Sequence, residues 1–347
     1  MPLLSTQPSR PAPVKSRAHR AQKSGYTQKD VAREAGVSQS AVSRVFAGRG
    51  YVAADVRQQI EKAARKLGYL PDMAARSLVK GRSNIVAVVT SNITHPFVPQ
   101  MLEKMTLAIQ RRGQEVLLLN SPPGQDIDRQ LPLALRYRVK GILIANVSIG
   151  GRAARQVRQS GTPIVMVNRY VEEKAVHGVS CDNVHGSSLV ARDFIAAGKR
   201  RIAYIGGLPD SPTNVVRREA FLQALREHGI APEVVLEGAF SHSWGYEAAG
   251  LLRQRRSRVD AVFCGDDMVA IGMLDGYRGM PGGLRAAPAI VGFDDIPNAS
   301  WPPYMLTTYS NPLDRMIEAA LDLLDHPAEE APVRQVLQGE LVRRASF

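Results

Sequence analysis

Cysteine is nearly absent from this chain. Cys181 and Cys264 are the only two, with no CxxC spacing and no histidine cluster beside them. That excludes a zinc site or a disulfide framework as the basis of the fold, and both thiols are expected to be buried apolar groups. Long apolar runs are also missing. None approaches the ~18 residues of a membrane span. Residues 1–24 lack the apolar core of a secretory signal, so a cytoplasmic protein with no membrane partner is expected. Catalytic signatures are scarce too. The seven histidines are scattered, no Walker-type or GxGxxG loop occurs, and runs such as Ile149-Gly150-Gly151 are too weak to count. No enzymatic activity, metal or cofactor is expected. Acidic charge is thin at one end. Residues 1–82 hold 16 Lys and Arg against 5 Asp and Glu, a net of +11. The whole chain is +13, which leaves +2 for residues 83–347. Charge concentrated this way suggests a nucleic-acid module on a nearly neutral regulatory or catalytic body.

What is present is organised around residues 26–46, YTQKDVAREAGVSQSAVSRVF. Thr27 is a natural N-cap, with Asp30 as its capping-box-like partner. Val31, Ala32 and Ala35 give a first helix its apolar face. Gly36 supplies the left-handed residue of a tight turn. Ser38 caps a second helix whose apolar side is Val42, Val45 and Phe46. Gln39, Ser40, Ser43 and Arg44 fall on the other side, spaced i, i+1, i+4, i+5. Such a face suits a major groove, because arginine is bidentate to guanine and glutamine and serine reach other base edges. The pattern is a helix-turn-helix. An ordinary helix pair with a solvated polar face is the alternative reading of the same spacing.

A third helix is expected over Ala54–Leu67, with Val56, Ile60, Ala63, Ala64 and Leu67 in its stripe and Gly68 at its end. The bundle covers residues 25–70 and is small enough to be marginal alone. Residues 1–24, with five basic side chains and four prolines, read as a disordered basic tail. In residues 71–82 Pro71 breaks the chain and Asp72 caps a short Ala-rich helix. So short a helix depends on its surroundings, which suits a switch; a plain linker is the alternative. From residue 83 strands alternate with helices. Strands are expected over 85–90, 115–120, 141–146, 163–168, 201–207, 234–236, 261–265 and 289–295. Helices are expected over 99–112, 126–138, 152–160, 183–197, 215–228, 243–255 and 268–277. Two successive doubly wound units mean two lobes, with ligands bound beyond the C-terminal strand ends.

At this point residues 26–321 resemble the LacI/GalR (lac repressor-like) family of bacterial transcription regulators. The resemblance rests on TQKDVAREAGVSQSAVSRV, on LGYLPDMAARSL, and on THPF, GTPIVMVNRY, GKRRIAYIGG, FCGDDMVAIG, AIVGFDDI and LTTYSNP in that order. It implies an N-terminal all-α helix-turn-helix bundle with a hinge helix at 71–82. This is joined to an α/β two-lobed body, 83–347, like periplasmic binding proteins. The implied N-lobe is about 83–181 and 306–325, and the C-lobe about 182–305 and 326–347. The implied function is that of a regulator, usually a repressor, that binds near-palindromic operator DNA as a homodimer. A sugar or sugar acid between the lobes would control operator affinity. No leucine heptads follow Leu321, so a dimer is expected rather than a tetramer.

The resemblance also implies roles for single residues. Gln39, Ser40 and Arg44 occupy base-reading positions. Thr27, Ser38 and Ser43 are placed to touch phosphates, and Arg49 and Tyr51 lie in the loop that crosses the backbone. Leu78 stands where the family has a leucine that wedges into the central minor-groove step. Phe97, Asn168, Arg169, Arg217, Phe240, Asp266 and Asp294 stand at effector positions. Phe97 and Phe240 would cover sugar faces, with core packing as the competing account. Arg217 is a donor fork for hydroxyls or a carboxylate. Asn168, Asp266 and Asp294 would bind vicinal hydroxyls; capping of the following segment is the alternative for the two aspartates. The chain departs from the family in several places. Asp72 stands for asparagine, Val79 for a polar or basic residue, and Lys199 for histidine. Ala53 stands for a serine cap and should weaken helix three. Position 266 is more often asparagine and position 168 more often aspartate.

Overall fold

The computed structural model describes residues 26–47, 50–69, 83–122, 130–145, 147, 159–168, 176–255, 259–326 and 332–347. They belong to two compact units, within residues 1–79 and 80–347. The expected hinge at 71–82 with Leu78, the tail at 1–24, Arg49, Arg169 and most of the expected helix at 152–160 lie outside the described residues.

The first unit is three helices: α1 (Gln28–Ala35), α2 (Gln39–Ala47) and α3 (Ala54–Leu67). The capping box forms as the sequence requires. Asp30 accepts the Thr27 N–H at 2.9 Å, and Thr27 Oγ1 accepts the Asp30 N–H at 3.4 Å. Gly36 and Gly68 end α1 and α3 in the left-handed conformation, at φ 65° and 64°. Val31, Val42 and Ile60, one from each helix, are fully buried and meet in one small core. Ala53 makes no side-chain cap to α3, so that helix starts with its first N–H groups unsatisfied by a side chain.

The second unit holds two six-stranded sheets. The N-lobe strands are β1 (Ile85–Ser91), β2 (Glu115–Ser121), β3 (Gly141–Ala145), β4 (Ile164–Val167), β5 (His177–Cys181) and β11 (Arg334–Leu337), in the order β11-β5-β4-β3-β1-β2. The C-lobe strands are β6 (Ile202–Gly206), β7 (Val234–Glu237), β8 (Ala261–Cys264), β9 (Ala289–Asp294), β10 (Thr307–Ser310) and β12 (Glu340–Val342), in the order β12-β10-β9-β8-β6-β7. Pairing is parallel except between β10 and β12. Parallel sheets covered on both faces need apolar residues at successive positions. In β1, Val86 and Val88 enter one core cluster and Ala87 and Val89 the other, as the two-residue side-chain period demands.

The helices are α4 (Phe97–Arg111), α5 (Leu131–Arg136), α6 (Asn183–Ala196), α7 (Pro212–Arg226), α8 (His242–Arg253), α9 (Asp267–Arg278) and α10 (Leu313–Asp325). Helix α7 begins at Pro212 rather than 215, because proline's fixed φ suits the first helical turn. Helices α8 and α9 approach backbone to backbone. A Cβ on Gly272 would lie 2.0 Å from the His242 carbonyl oxygen.

The expected lobe boundaries need correction. Strand β10, assigned to the N-lobe as part of 306–325, pairs with β9 in the C-lobe sheet. Strand β11, assigned to the C-lobe as part of 326–347, pairs with β5 in the N-lobe sheet. The chain therefore passes between lobes near Asp182, at Asn311-Pro312 and at Gln338-Gly339. Strand β5 was not expected, since HGVSC has one β-branched residue and a glycine. Both cysteines are buried, and burial pushes the Cys181 thiol up to about 12.

Candidate functional site

The polar face of α2 is built by the fold around it. Ala41, Val42 and Val45 are buried, and this turns Gln39, Ser40, Ser43 and Arg44 outward, all exposed. Ser38 Oγ accepts the Ala41 N–H at 3.2 Å, which caps the helix, and lies 2.9 Å from Ser40 Oγ. Arg44 Nε donates to the Ser40 carbonyl at 3.3 Å, and among the described residues its terminal amino groups have no hydrogen-bond partner. Tyr51 is 88% exposed, far beyond what packing of a large ring would give. Thr27 is exposed at the start of α1, though its hydroxyl already donates to Asp30 at 2.7 Å.

In the body, C-terminal strand ends converge on a buried charged cluster. Arg217 projects from α7 and is 2% exposed. Its Nη2 donates to Asp294 Oδ1 at 2.9 Å, its Nη1 to the Gly265 carbonyl at 2.7 Å, and its Nε to Asn183 Oδ1 at 2.8 Å. The guanidinium also sits 3.6 Å from the Phe293 ring centroid. Three of its five donors are thus committed within the protein, which fixes the fork and leaves two N–H groups for a ligand. Asp294 accepts from Asn311 Nδ2 as well, at 2.9 Å. Burial pushes the Asp294 carboxyl above the usual carboxylate range, with Arg217 opposing.

Asp266 both caps a helix and reaches across the cleft. Its Oδ1 accepts the Val269 N–H of α9 at 2.8 Å, and its Oδ2 lies 2.9 Å from His95 Nε2. Phe97 is 3% exposed and packs in the main apolar core. Phe240 is half-buried and lies over Gly207, where a Cβ would be 2.4 Å from its ring. Asn168 ends β4 at φ 67°, with its N–H on the Val179 carbonyl at 2.9 Å. The structure therefore brings Arg217 and Asp294 into direct contact. It puts Asp266 against a residue of the other lobe, and it gives Phe97 to packing.

Sequence reasoning missed His95, Asn183, Asp267 and Asn311. Asp267 is fully buried, and it accepts the Thr308 hydroxyl at 2.5 Å and the Ile296 N–H at 2.9 Å. Burial, then the charge of Asp294, holds its carboxyl well above the ordinary range. The signal for His95 was its place in THPF; the doublets at 266–267 and 294–295 carried the signal for Asp267. A cavity of about 550 Å³ opens beside the cluster, lined by Gln100, Asp294, Asn311 and Glu340 among others. Of the described residues expected to hold an effector, only Asp294 borders it. No group of His, Cys, Asp and Glu among the described residues is arranged to hold a metal ion. No described helix is long and apolar enough to cross a membrane.

Comparison with known proteins places both parts of the chain in one family. Residues 27–72 match the family described as "Bacterial regulatory proteins, lacI family". Residues 82–299 match "Periplasmic binding proteins and sugar binding domain of LacI family". The HTH-type transcriptional regulator CelR of Thermobifida fusca is 30% identical over 328 residues, 91% of this chain and 96% of that protein. A solved structure titled "transcriptional regulator CelR-cellobiose complex" is 28% identical with a TM-score of 0.66, over 93% of this chain and 100% of that one. The lac repressor dimer bound to operator and an anti-inducer shares the fold, with a TM-score of 0.81 at 23% identity over 92% and 98% of the two chains. The chain belongs to the LacI family of bacterial regulatory proteins, and is a helix-turn-helix transcriptional regulator with a sugar-binding-type body.

Proposed function

We propose that this protein is a cytoplasmic transcriptional repressor that binds a near-palindromic operator as a homodimer and is controlled by a neutral sugar between its lobes. The observation that carries the reading is the exposed Gln39, Ser40, Ser43 and Arg44 face on a capped helix, in a chain whose other unit closes on a buried Arg–Asp cluster. Arg44 chooses a guanine, worth ~1–3 kcal/mol of discrimination when bidentate. Ser38, Ser43, Thr27 and Tyr51 fix the register on phosphates and sugars.

The charge of the cleft favours a neutral ligand over a sugar acid. Among the described residues, Asp266 and Asp294 are both buried there, against one guanidinium already engaged by protein groups and one imidazole. A ligand carboxylate entering this cluster would meet like charge at low dielectric. Hydroxyls pair with carboxylates as donors and with the remaining guanidinium donors as acceptors. The relative solved with cellobiose is consistent with a sugar of this class.

The test is a gel shift with DNA from upstream of the protein's own coding region, with and without a panel of sugars and sugar acids. A sequence-preferring shift is expected, altered by a neutral sugar and by no sugar acid. In the same assay Arg44→Ala should lose affinity at one base position of each half-site. Absence of any preferred sequence would reject the operator reading, a uniform loss would make Arg44 a phosphate contact, and a response to a sugar acid alone would reject the neutral ligand.

A further inference from the structure

His95 lies in the N-lobe, in the turn between β1 and α4. Asp266 lies in the C-lobe, between β8 and α9. Their side chains meet at 2.9 Å, with only 13% and 2% of their surfaces exposed. Each is fixed on its own lobe. The His95 N–H closes a turn onto the Asn92 carbonyl at 3.0 Å, and Asn92 takes the left-handed conformation that the turn requires. Asp266 uses one oxygen to cap α9 and the other to reach His95. The nearby hydrogen bond from Gln100 Nε2 to the Asp295 carbonyl also joins the lobes, but at 3.4 Å it is long and neutral.

We propose that His95 and Asp266 form a proton-dependent latch between the two lobes, and that a ligand entering the cleft displaces it. The proposal rests on reading this cleft as the effector site. Asp266 is almost wholly buried, with Oδ1 on α9 and Oδ2 on His95, so a ligand hydroxyl that takes the position of the imidazole on Oδ2 displaces it. Asp294 and Asn311 line the 550 Å³ cavity, whereas His95, Arg217 and Asp266 do not and are held by protein partners, so these three become available to a ligand only when those contacts part.

Imidazole is the side chain whose charge changes near neutral pH. Among the described residues, three charged groups face His95. Asp266 and Asp294 favour the imidazolium, and Arg217 opposes it. Burial opposes it most, yet the Asp266 hydrogen bond and the two carboxylate charges together hold His95 above its ordinary value. The sign follows from linkage. A histidine raised in the closed form contributes fully below its ordinary value, and that contribution is lost as pH rises through the raised one. Displacing the latch between those two values returns the imidazole to its ordinary value, and Nε2 or Nδ1 gives up its proton to the buffer. Ligand affinity in that window therefore rises with pH.

The test uses the full chain with isotope-labelled histidine, titrated by NMR from pH 5 to 9, with small-angle scattering at both ends of the range. One histidine should titrate above the ordinary value, and its signal should vanish in His95→Gln. In Asp266→Asn the same signal should move down. Asparagine is as good an N-cap, so α9 is kept while the charge is removed, and an unchanged melting temperature of that variant confirms it. The wild type should be more expanded at pH 9 than at pH 6, and His95→Gln should show no such change. If His95 titrates at or below its ordinary value, or if Asp266→Asn leaves it unmoved, the latch is wrong. A matching expansion in wild type and both variants would equally reject it. These outcomes need no DNA and no sugar, so they stand or fall apart from the operator reading.

Discussion

Asp294 keeps a carboxylate where water is almost excluded, and Arg217 makes that tolerable. Removing one partner of a buried pair leaves an uncompensated charge, at a cost of about 3–5 kcal/mol. Arg217→Met should therefore lower stability by about that much at pH 7–8, as read from the urea midpoint. The loss should shrink toward pH 5. Burial already sets the Asp294 carboxyl above its ordinary value, and without the guanidinium it would go higher. A carboxyl raised in the fold is a penalty above that range that disappears once the proton is bound. An equal deficit at pH 5 and pH 8 would assign the loss to the Phe293 stack and the Asn183 bond instead of to charge. At this scale the sequence was informative about which residues matter and less so about what they touch. Asp266 and Asp294 stand in the quoted motifs, and Arg217 stands at an effector position that the resemblance implies. That Arg217 is largely spent on protein partners depends on Asn183 and Gly265, which lie 34 and 48 positions away. His95 was hidden beside a phenylalanine that drew the reading toward ring stacking, while that ring went into the core.

Helix ends were legible because their signals are local. Thr27, Asp30, Gly36 and Gly68 act within one turn of their own positions. Strand membership was not legible at the end of the chain. Whether residues 307–310 or 334–337 join one sheet or the other is decided by which edge is open, and each is only four residues long. The local rule also identifies a weakness. Ala53, at the N-cap of helix α3, has φ −55° and ψ 146° and makes no side-chain cap. A serine hydroxyl there can accept the orphan N–H of the second or third helical residue. Ala53→Ser should stabilise the first unit by about 0.5–1 kcal/mol, measured as a rise in the melting midpoint of that unit. No change, or a fall, would mean that Asp55 in the first turn already satisfies those groups. Because the core of this unit is small, even that gain is a noticeable share of its total.

Over the whole molecule, charge and chemistry are divided between the N-terminal residues and the body. Residues 1–82 carry +11 of the net +13, and the buried cluster lies in the nearly neutral remainder. This predicts a division of salt sensitivity. Each phosphate neutralised releases about 0.9 of a counterion from duplex DNA, so affinity falls as a power of salt set by the number of contacts. A dimer reading two half-sites with 6–10 phosphate contacts would lose roughly 10³–10⁵ in operator affinity between 50 and 200 mM salt. Sugar binding, through hydrogen bonds to buried groups, should vary by less than about twofold over the same range, since buried pairs are screened far less than exposed ones. Fluorescence anisotropy on labelled operator and calorimetry with the sugar, on one preparation of the full chain, measure the two slopes. A flat salt response for DNA would mean that the basic residues 1–82 do not meet phosphates. A steep response for the sugar would mean that the ligand carries charge, and would reopen the case for an acid in the cleft.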